Sequence, residues 1–136
     1  MASSTIEGKR VLIVEDESII AMMLECELND GGCEVVGPVP SVEDALRLID
    51  KERLDCALLD YRLVDETSGR IASVLAERNI PFLLMTGHCA SDLPSELRDK
   101  TLLQKPVTGK ALRAALEAIL DSAAQNDAAP FLSGEA

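Results

Sequence analysis

Alternation of short, branched apolar runs with amphipathic helical stretches predicts an α/β fold: a doubly wound, five-stranded parallel sheet with helices on both faces. Three observations carry this. Apolar runs recur at Val11–Val14, Cys33–Val39, Cys56–Leu59, Phe82–Met85 and Leu102–Leu103. Segments between and after them show helical periodicity, with i, i+3, i+4, i+7 stripes at Val42, Ala45, Leu46, Ile49 and at Leu112, Ala115, Leu116, Ile119. The central runs, Val11-Leu12-Ile13-Val14 and Ala57-Leu58-Leu59, are almost unbroken in their apolar character, which is what burial on both sheet faces requires.

Taken in order, the elements carry matching boundaries. Gly31 and Gly32 can end the first helix, Ser41 with Asp44 can form a capping box for the next, and Thr108 can cap the last. Strands joined through helices must run parallel, and right-handed crossovers then place helices on both faces. From Gln125 the pattern lapses into Ala, Asp, Pro, Ser and Gly. The folded domain is therefore expected over residues 9–122 and a mobile tail over 123–136, with Pro130-Phe131-Leu132 either disordered or a docking segment.

The 136 residues fit one domain with a sizeable core. No apolar run approaches the roughly 20 residues that cross a bilayer, and Met1 to Lys9 shows no secretory pattern, so a soluble, cytoplasmic protein is expected. A formal net charge of -11 repels a phosphate backbone, which argues against nucleic-acid binding. Cys26, Cys33, Cys56 and Cys89 have no C-x-x-C spacing and no paired histidines, so zinc and a disulfide framework are disfavoured and small fillers are expected.

In such a sheet the functional crevice lies beyond the carboxyl ends of the strands. The residues there are Glu15 and Asp16 after the first strand, Asp60 after the third, Thr86 with Gly87 at the end of the fourth, and Lys105 with Pro106 after the fifth. Three carboxylates in one place repel one another unless a cation neutralises them, and an all-oxygen set without histidine or cysteine suits magnesium. Asp60 can then attack a phosphoryl centre and form an aspartyl phosphate. Lys105 would pair with the phosphate oxygens, and the Thr86 hydroxyl could rotate toward them. Gly87 would leave room and a backbone amide, and a cis Lys105–Pro106 bond would aim the lysine. Any one of these residues alone reads more readily as a helix cap or a structural charge; their convergence carries the functional reading.

The segments Val11-Leu12-Ile13-Val14-Glu15-Asp16-Glu17, Ala57-Leu58-Leu59-Asp60, Met85-Thr86-Gly87 and Gln104-Lys105-Pro106 resemble the receiver domains of two-component response regulators, over about Lys9 to Leu120. The resemblance implies a flavodoxin-like sheet of order 2-1-3-4-5. It also implies Mg2+ held by Glu15, Asp16, Asp60 and the backbone carbonyl of Arg62, and transfer of phosphate to Asp60 from a phosphohistidine of a histidine kinase or histidine phosphotransfer protein. Thr86 and Lys105 would sense that phosphate. Leu102 stands where many receivers carry an aromatic, and the stretch from Thr86 to Lys105 is short and holds Pro94, so a short or irregular fourth helix is expected. These departures, with Thr86-Gly87, resemble single-domain receivers of the FAT GUY group of alphaproteobacterial stress signalling, although Leu84 and Met85 replace that group's Phe-Ala. His88 could tune hydrolysis of the acyl phosphate or be an exposed loop residue.

No effector sequence follows the last helix, so output is expected in trans, through an unknown downstream protein or as a phosphate sink or shuttle. The expected protein is a phosphoacceptor that assists its own phosphorylation and dephosphorylation, not an enzyme acting on others. Two rivals fit less well. A haloacid-dehalogenase-like phosphatase needs an acid two residues after its nucleophile, where Arg62 stands. A nucleotide or flavin module needs a glycine-rich loop where Glu15-Asp16-Glu17 follows the first strand.

Overall fold

A computed structural model describes residues 6–64, 66–87, 102–105 and 107–128. Its elements are Arg10–Val14 (β1), Ser18–Asp30 (α1), Glu34–Val39 (β2), Val42–Lys51 (α2), Cys56–Asp60 (β3), Arg62–Leu63 (β4), Glu66–Thr67 (β5), Gly69–Glu77 (α3), Phe82–Thr86 (β6), Leu102–Gln104 (β7) and Gly109–Ala128 (α4). The main sheet has the order β2-β1-β3-β6-β7 and is parallel throughout, which is the expected 2-1-3-4-5 order once its own strands are counted.

Successive side chains of a strand point to opposite faces, and the three central strands divide their residues between two cores accordingly. Leu12, Val14, Ala57, Leu59, Phe82 and Leu84 pack with residues of α2 and α3. Val11, Ile13, Cys56, Leu58, Leu83 and Met85 pack on the other face with residues of α1 and α4. Two-sided burial explains why Val11–Val14, Cys56–Leu59 and Phe82–Met85 show no polar alternation. At the opposite edge from the crevice, Arg10 of β1 donates to the Arg53 carbonyl and pairs with Glu52, while the Arg10 amide donates to Asp55 Oδ2 at 2.8 Å.

The helix ends follow the expected chemistry. Gly32, with φ +87°, takes the left-handed conformation after α1; its amide donates to the Asn29 carbonyl and the Cys33 amide to that of Leu28, a Schellman arrangement. Cys33 is thereby drawn into the helix terminus, and β2 begins one residue later than expected, at Glu34. Ser41 Oγ accepts the Asp44 amide at 3.2 Å, while the Asp44 carboxylate pairs with Arg47. Thr108 Oγ1 accepts the Ala111 amide at 3.1 Å at the start of α4. In β2, Gly37 sits opposite an irregularity in the β1 register with φ +97°, and a Cβ there would stand 3.1 Å from the Ile13 carbonyl oxygen.

One feature differs from expectation: the small antiparallel hairpin β4–β5 follows β3, with Arg62 opposite Thr67 and Leu63 opposite Glu66. Helix α4 runs from Gly109 to Ala128, a stretch rich in alanine, the strongest helix former. Residues 129–136, with Pro130-Phe131-Leu132, lie outside the described residues, as do His88, Cys89, Pro94 and the whole segment expected to hold the fourth helix. Cys33 and Cys56 are buried free thiols, and burial pushes Cys56 up to about 12.

Candidate functional site

Chain connections diverge from β1 and β3 toward opposite edges of the sheet, so a crevice opens between their carboxyl ends. Glu15 and Asp16 follow β1 directly, and the Glu15 amide is held by the Val39 carbonyl at 3.0 Å. Asp60 is the last residue of β3 rather than the first after it, registered against Met85 of β6. That strand position, with no local backbone freedom, holds its carboxylate at only 5% exposure.

Carboxylate oxygens of Glu15, Asp16 and Asp60 all lie within 4.8 Å of one another. Lys105 reaches into this cluster from the end of β7, where its amide donates to the Thr86 carbonyl at 2.8 Å. Its Nζ donates to Asp60 Oδ2 at 3.0 Å and stands 3.2 Å from Glu15 Oε1. Asp16 turns its Oδ2 outward to accept the Val64 amide at 2.6 Å, which ties the β4–β5 hairpin to the β1–α1 loop.

The electrostatics follow from burial. Desolvation, reinforced by a hydrogen bond with Asp60, pushes the Glu15 carboxyl up to about 7. Burial alone would depress Lys105, but hydrogen bonding and charge from Asp60 and Glu15 outweigh it, so the lysine stays above its ordinary value and remains an ammonium. Among the described residues, Lys105 is the cation paired with this cluster, through Glu15 and Asp60. Glu15 Oε1 is buried without a hydrogen-bond partner among the described residues, despite its ion pair with Lys105. A buried, clustered, all-oxygen donor set with an unsatisfied carboxylate oxygen fits a hard divalent cation.

Asp16, Asp60, Arg62, Thr86, Gly87 and Lys105 line one cleft of about 400 Å³ above this cluster. Thr86 ends β6 and is buried. Among the described residues, no atom lies within 4 Å of where a Cβ of Gly87 would stand, and Gly87 lines the cleft. In an antiparallel ladder, hydrogen-bonded and non-bonded pairs alternate. Tyr61 accepts the Ser68 amide, so the Arg62–Thr67 pair is the non-bonded one and the Arg62 carbonyl points away from β5. Pro106, and with it the expected cis bond, lies outside the described residues.

Sequence reasoning assigned no role to Glu17 or Val64. Both line the cleft, and Glu17 Oε1 is 4.0 Å from Lys105 Nζ. Glu17 follows the acidic pair directly, which was a usable signal. Val64 had none, because strands of two residues are too short to show alternation.

A doubly wound parallel sheet with an acid cluster at its switch point, bridged by a lysine from the edge strand, defines the receiver class, and the chain belongs to the response regulator receiver domain family, whose model matches residues 11–117. Among curated proteins it is similar to the transcriptional regulatory protein PdtaR of Mycobacterium tuberculosis, 31% identical over 113 residues, 80% of this chain and 55% of the relative. The chain thus spans about half the length of the curated relatives it matches. Among solved structures, SdrG of Sphingomonas melonis Fr1 is 40% identical with a TM-score of 0.74, covering 88% of this chain and 99% of that one. A response regulator receiver protein of Sinorhizobium medicae WSM419 is 28% identical with a TM-score of 0.74, covering 86% and 98%.

Among the described residues, no helix is long and apolar enough to cross a membrane.

Proposed function

We propose that the chain is a cytoplasmic receiver that takes a phosphoryl group onto Asp60 from a phosphohistidine of a histidine kinase or histidine phosphotransfer protein, with Mg2+ in the acidic cluster. The observation that carries this is the placement of a buried Asp60 beside Glu15 and Asp16, with Lys105 Nζ 3.0 Å from its Oδ2. Glu15, Asp16, Asp60 and the Arg62 carbonyl would hold the cation, directly or through water. Bound there, it supplies positive charge that offsets the carboxylates and the incoming phosphoryl oxygens.

In the transfer, an Asp60 carboxylate oxygen forms a bond to phosphorus as the bond from phosphorus to the donor's imidazole nitrogen breaks, and the electron pair leaves with the imidazole. Lys105 turns from the carboxylates to a phosphoryl oxygen, the Thr86 hydroxyl donates to another, and the space above Gly87 admits the group. Attack of water on phosphorus breaks the bond to the Asp60 oxygen, restores the carboxylate and releases inorganic phosphate, so the chain assists its own phosphorylation and dephosphorylation.

The output proposed is in trans, by binding a downstream protein or as a phosphate sink or shuttle. SdrG has also been solved in a BeF3-activated conformation, 40% identical to this chain with a TM-score of 0.72. A protein donor is supported by exposed apolar surface: among the described residues the exposed large apolar side chains are Ile19, Met22 and Met23 of α1 and Val64, which lines the cleft.

Acetyl phosphate with Mg2+ tests the reading. The wild-type chain gains one acid-stable, base-labile phosphoryl group, and D60N keeps its circular dichroism while gaining none. Equal labelling of D60N, or labelling indifferent to chelation, would overturn it.

A further inference from the structure

We propose that Gly37, in the edge strand β2, is a positioning residue for Glu15, acting through a one-residue bulge that sets the last rung between β2 and β1. The inference rests on the reading of Glu15 as part of a cation site.

The ladder between β1 and β2 starts in regular register, with Arg10 opposite Glu34 and Leu12 opposite Val36. Beyond that, Val14 faces Val39, so three steps of β2 span two of β1. Bulges are rare between parallel strands, and this one has a cause in the sequence. The Glu34 amide donates to the Lys9 carbonyl at 2.8 Å, and alternate residues of a parallel strand point their amides at the same neighbour. Unbroken register would therefore bring position 38 to donate to Ile13 and to accept from Glu15. That position is Pro38, which has no N–H to give. The extra residue carries the ladder past it, and Val39 takes the rung: its carbonyl accepts the Glu15 amide at 3.0 Å.

Glycine is what this bulge requires. Its φ of +97° is disfavoured for residues with a side chain, and a Cβ at Gly37 would stand 3.0 Å from the Val39 nitrogen and 3.1 Å from the Ile13 carbonyl oxygen. Both are backbone atoms of the sheet, so neither can swing aside as the end of a side chain would. Room has to come from moving Val39 away from β1 or Ile13 away from β2, and the Glu15 rung lies next to both. Glu15 has little slack to absorb such a shift. Its carboxylate is buried, stands 3.2 Å from Lys105 Nζ through Oε1 and accepts the Glu17 amide at 3.2 Å through Oε2. Support behind a metal ligand sets its aim, and losing that support costs metal affinity.

The test compares G37A with G32A, a second glycine of positive φ, +87°, whose Cβ would meet the Glu7 side chain far from the cluster. Each variant, in the full chain, is read by Mg2+ titration calorimetry and thermal melting. Without metal, hydrogen exchange at the Glu15 amide is measured relative to the Leu58 amide of the central strand. G37A should weaken Mg2+ binding by about tenfold, the low end of what outer support of a metal site contributes, and G32A by less than about twofold although it too lowers the melting temperature. Relative exchange at Glu15 should rise by about tenfold in G37A and by less than about twofold in G32A. In an E15Q background, G37A should change Mg2+ affinity by less than about twofold, because its effect runs through that carboxylate. Should G37A not fold, G37N takes its place with the same expected outcomes, since asparagine enters positive φ more readily. Equal Mg2+ affinities for G37A and wild type, equal losses in G37A and G32A, or an undiminished G37A effect in E15Q would overturn the proposal and leave the cation site standing. A wild-type chain that binds no Mg2+ would overturn both.

Discussion

Replacing Glu15 by Gln removes a carboxyl that folding has forced toward its protonated form, and the consequence is a change in how stability depends on pH. In the folded, metal-free chain this group titrates near 7, against 4.5 for an unburdened glutamate, because burial and the neighbouring Asp60 disfavour its charge. Between those values the folded state holds a proton that the unfolded state has released. Stability therefore falls as pH rises from about 4.5 to about 7 and levels off above that. At about 1.36 kcal/mol per unit, the fall attributable to Glu15 is on the order of 3 kcal/mol. Urea unfolding with a chelator at several pH values between 4.5 and 8.5, for wild type and E15Q, isolates it, since other groups contribute to both proteins. The difference between the curves should open across that window and close at its acid end. Adding Mg2+ above pH 7 should stabilise the wild type by about 2.7 kcal/mol at a hundredfold excess over its dissociation constant, and E15Q by much less. Parallel curves for the two proteins would refute the reasoning.

Lys105→Ala should still be labelled by acetyl phosphate, at a reduced rate, while the shift of the Thr86 amide resonance on adding BeF3 and Mg2+ shrinks; an undiminished shift would remove the lysine from the read-out. Leu58→Ala empties a fully buried position in the central strand and should cost about 2–5 kcal/mol in urea unfolding, with less than about 1 kcal/mol telling of a core that closes over the gap. Gly32→Ala places a side chain at φ +87° and should cost about 1 kcal/mol, measured as a lower midpoint at unchanged m-value.

Much of this was legible before the structure. The central strands could be read because two-sided burial leaves unbroken apolar runs, and the site could be read because a parallel sheet delivers every strand's carboxyl end to one edge. Topology alone brought Glu15, Asp16, Asp60, Thr86 and Lys105 together across 90 residues of sequence, without any local motif. What escaped notice was short. The β4–β5 hairpin has strands of two residues, below the length at which periodicity exists.

The whole account turns on which atom carries the phosphoryl group. Reduction of the labelled chain with borohydride converts an aspartyl phosphate to homoserine, which peptide mapping locates. Homoserine at position 60 alone, and only when Mg2+ was present during labelling, is the predicted outcome. Homoserine at another carboxylate, or phosphate recovered on a hydroxyl or imidazole with Asp60 unchanged, would contradict it.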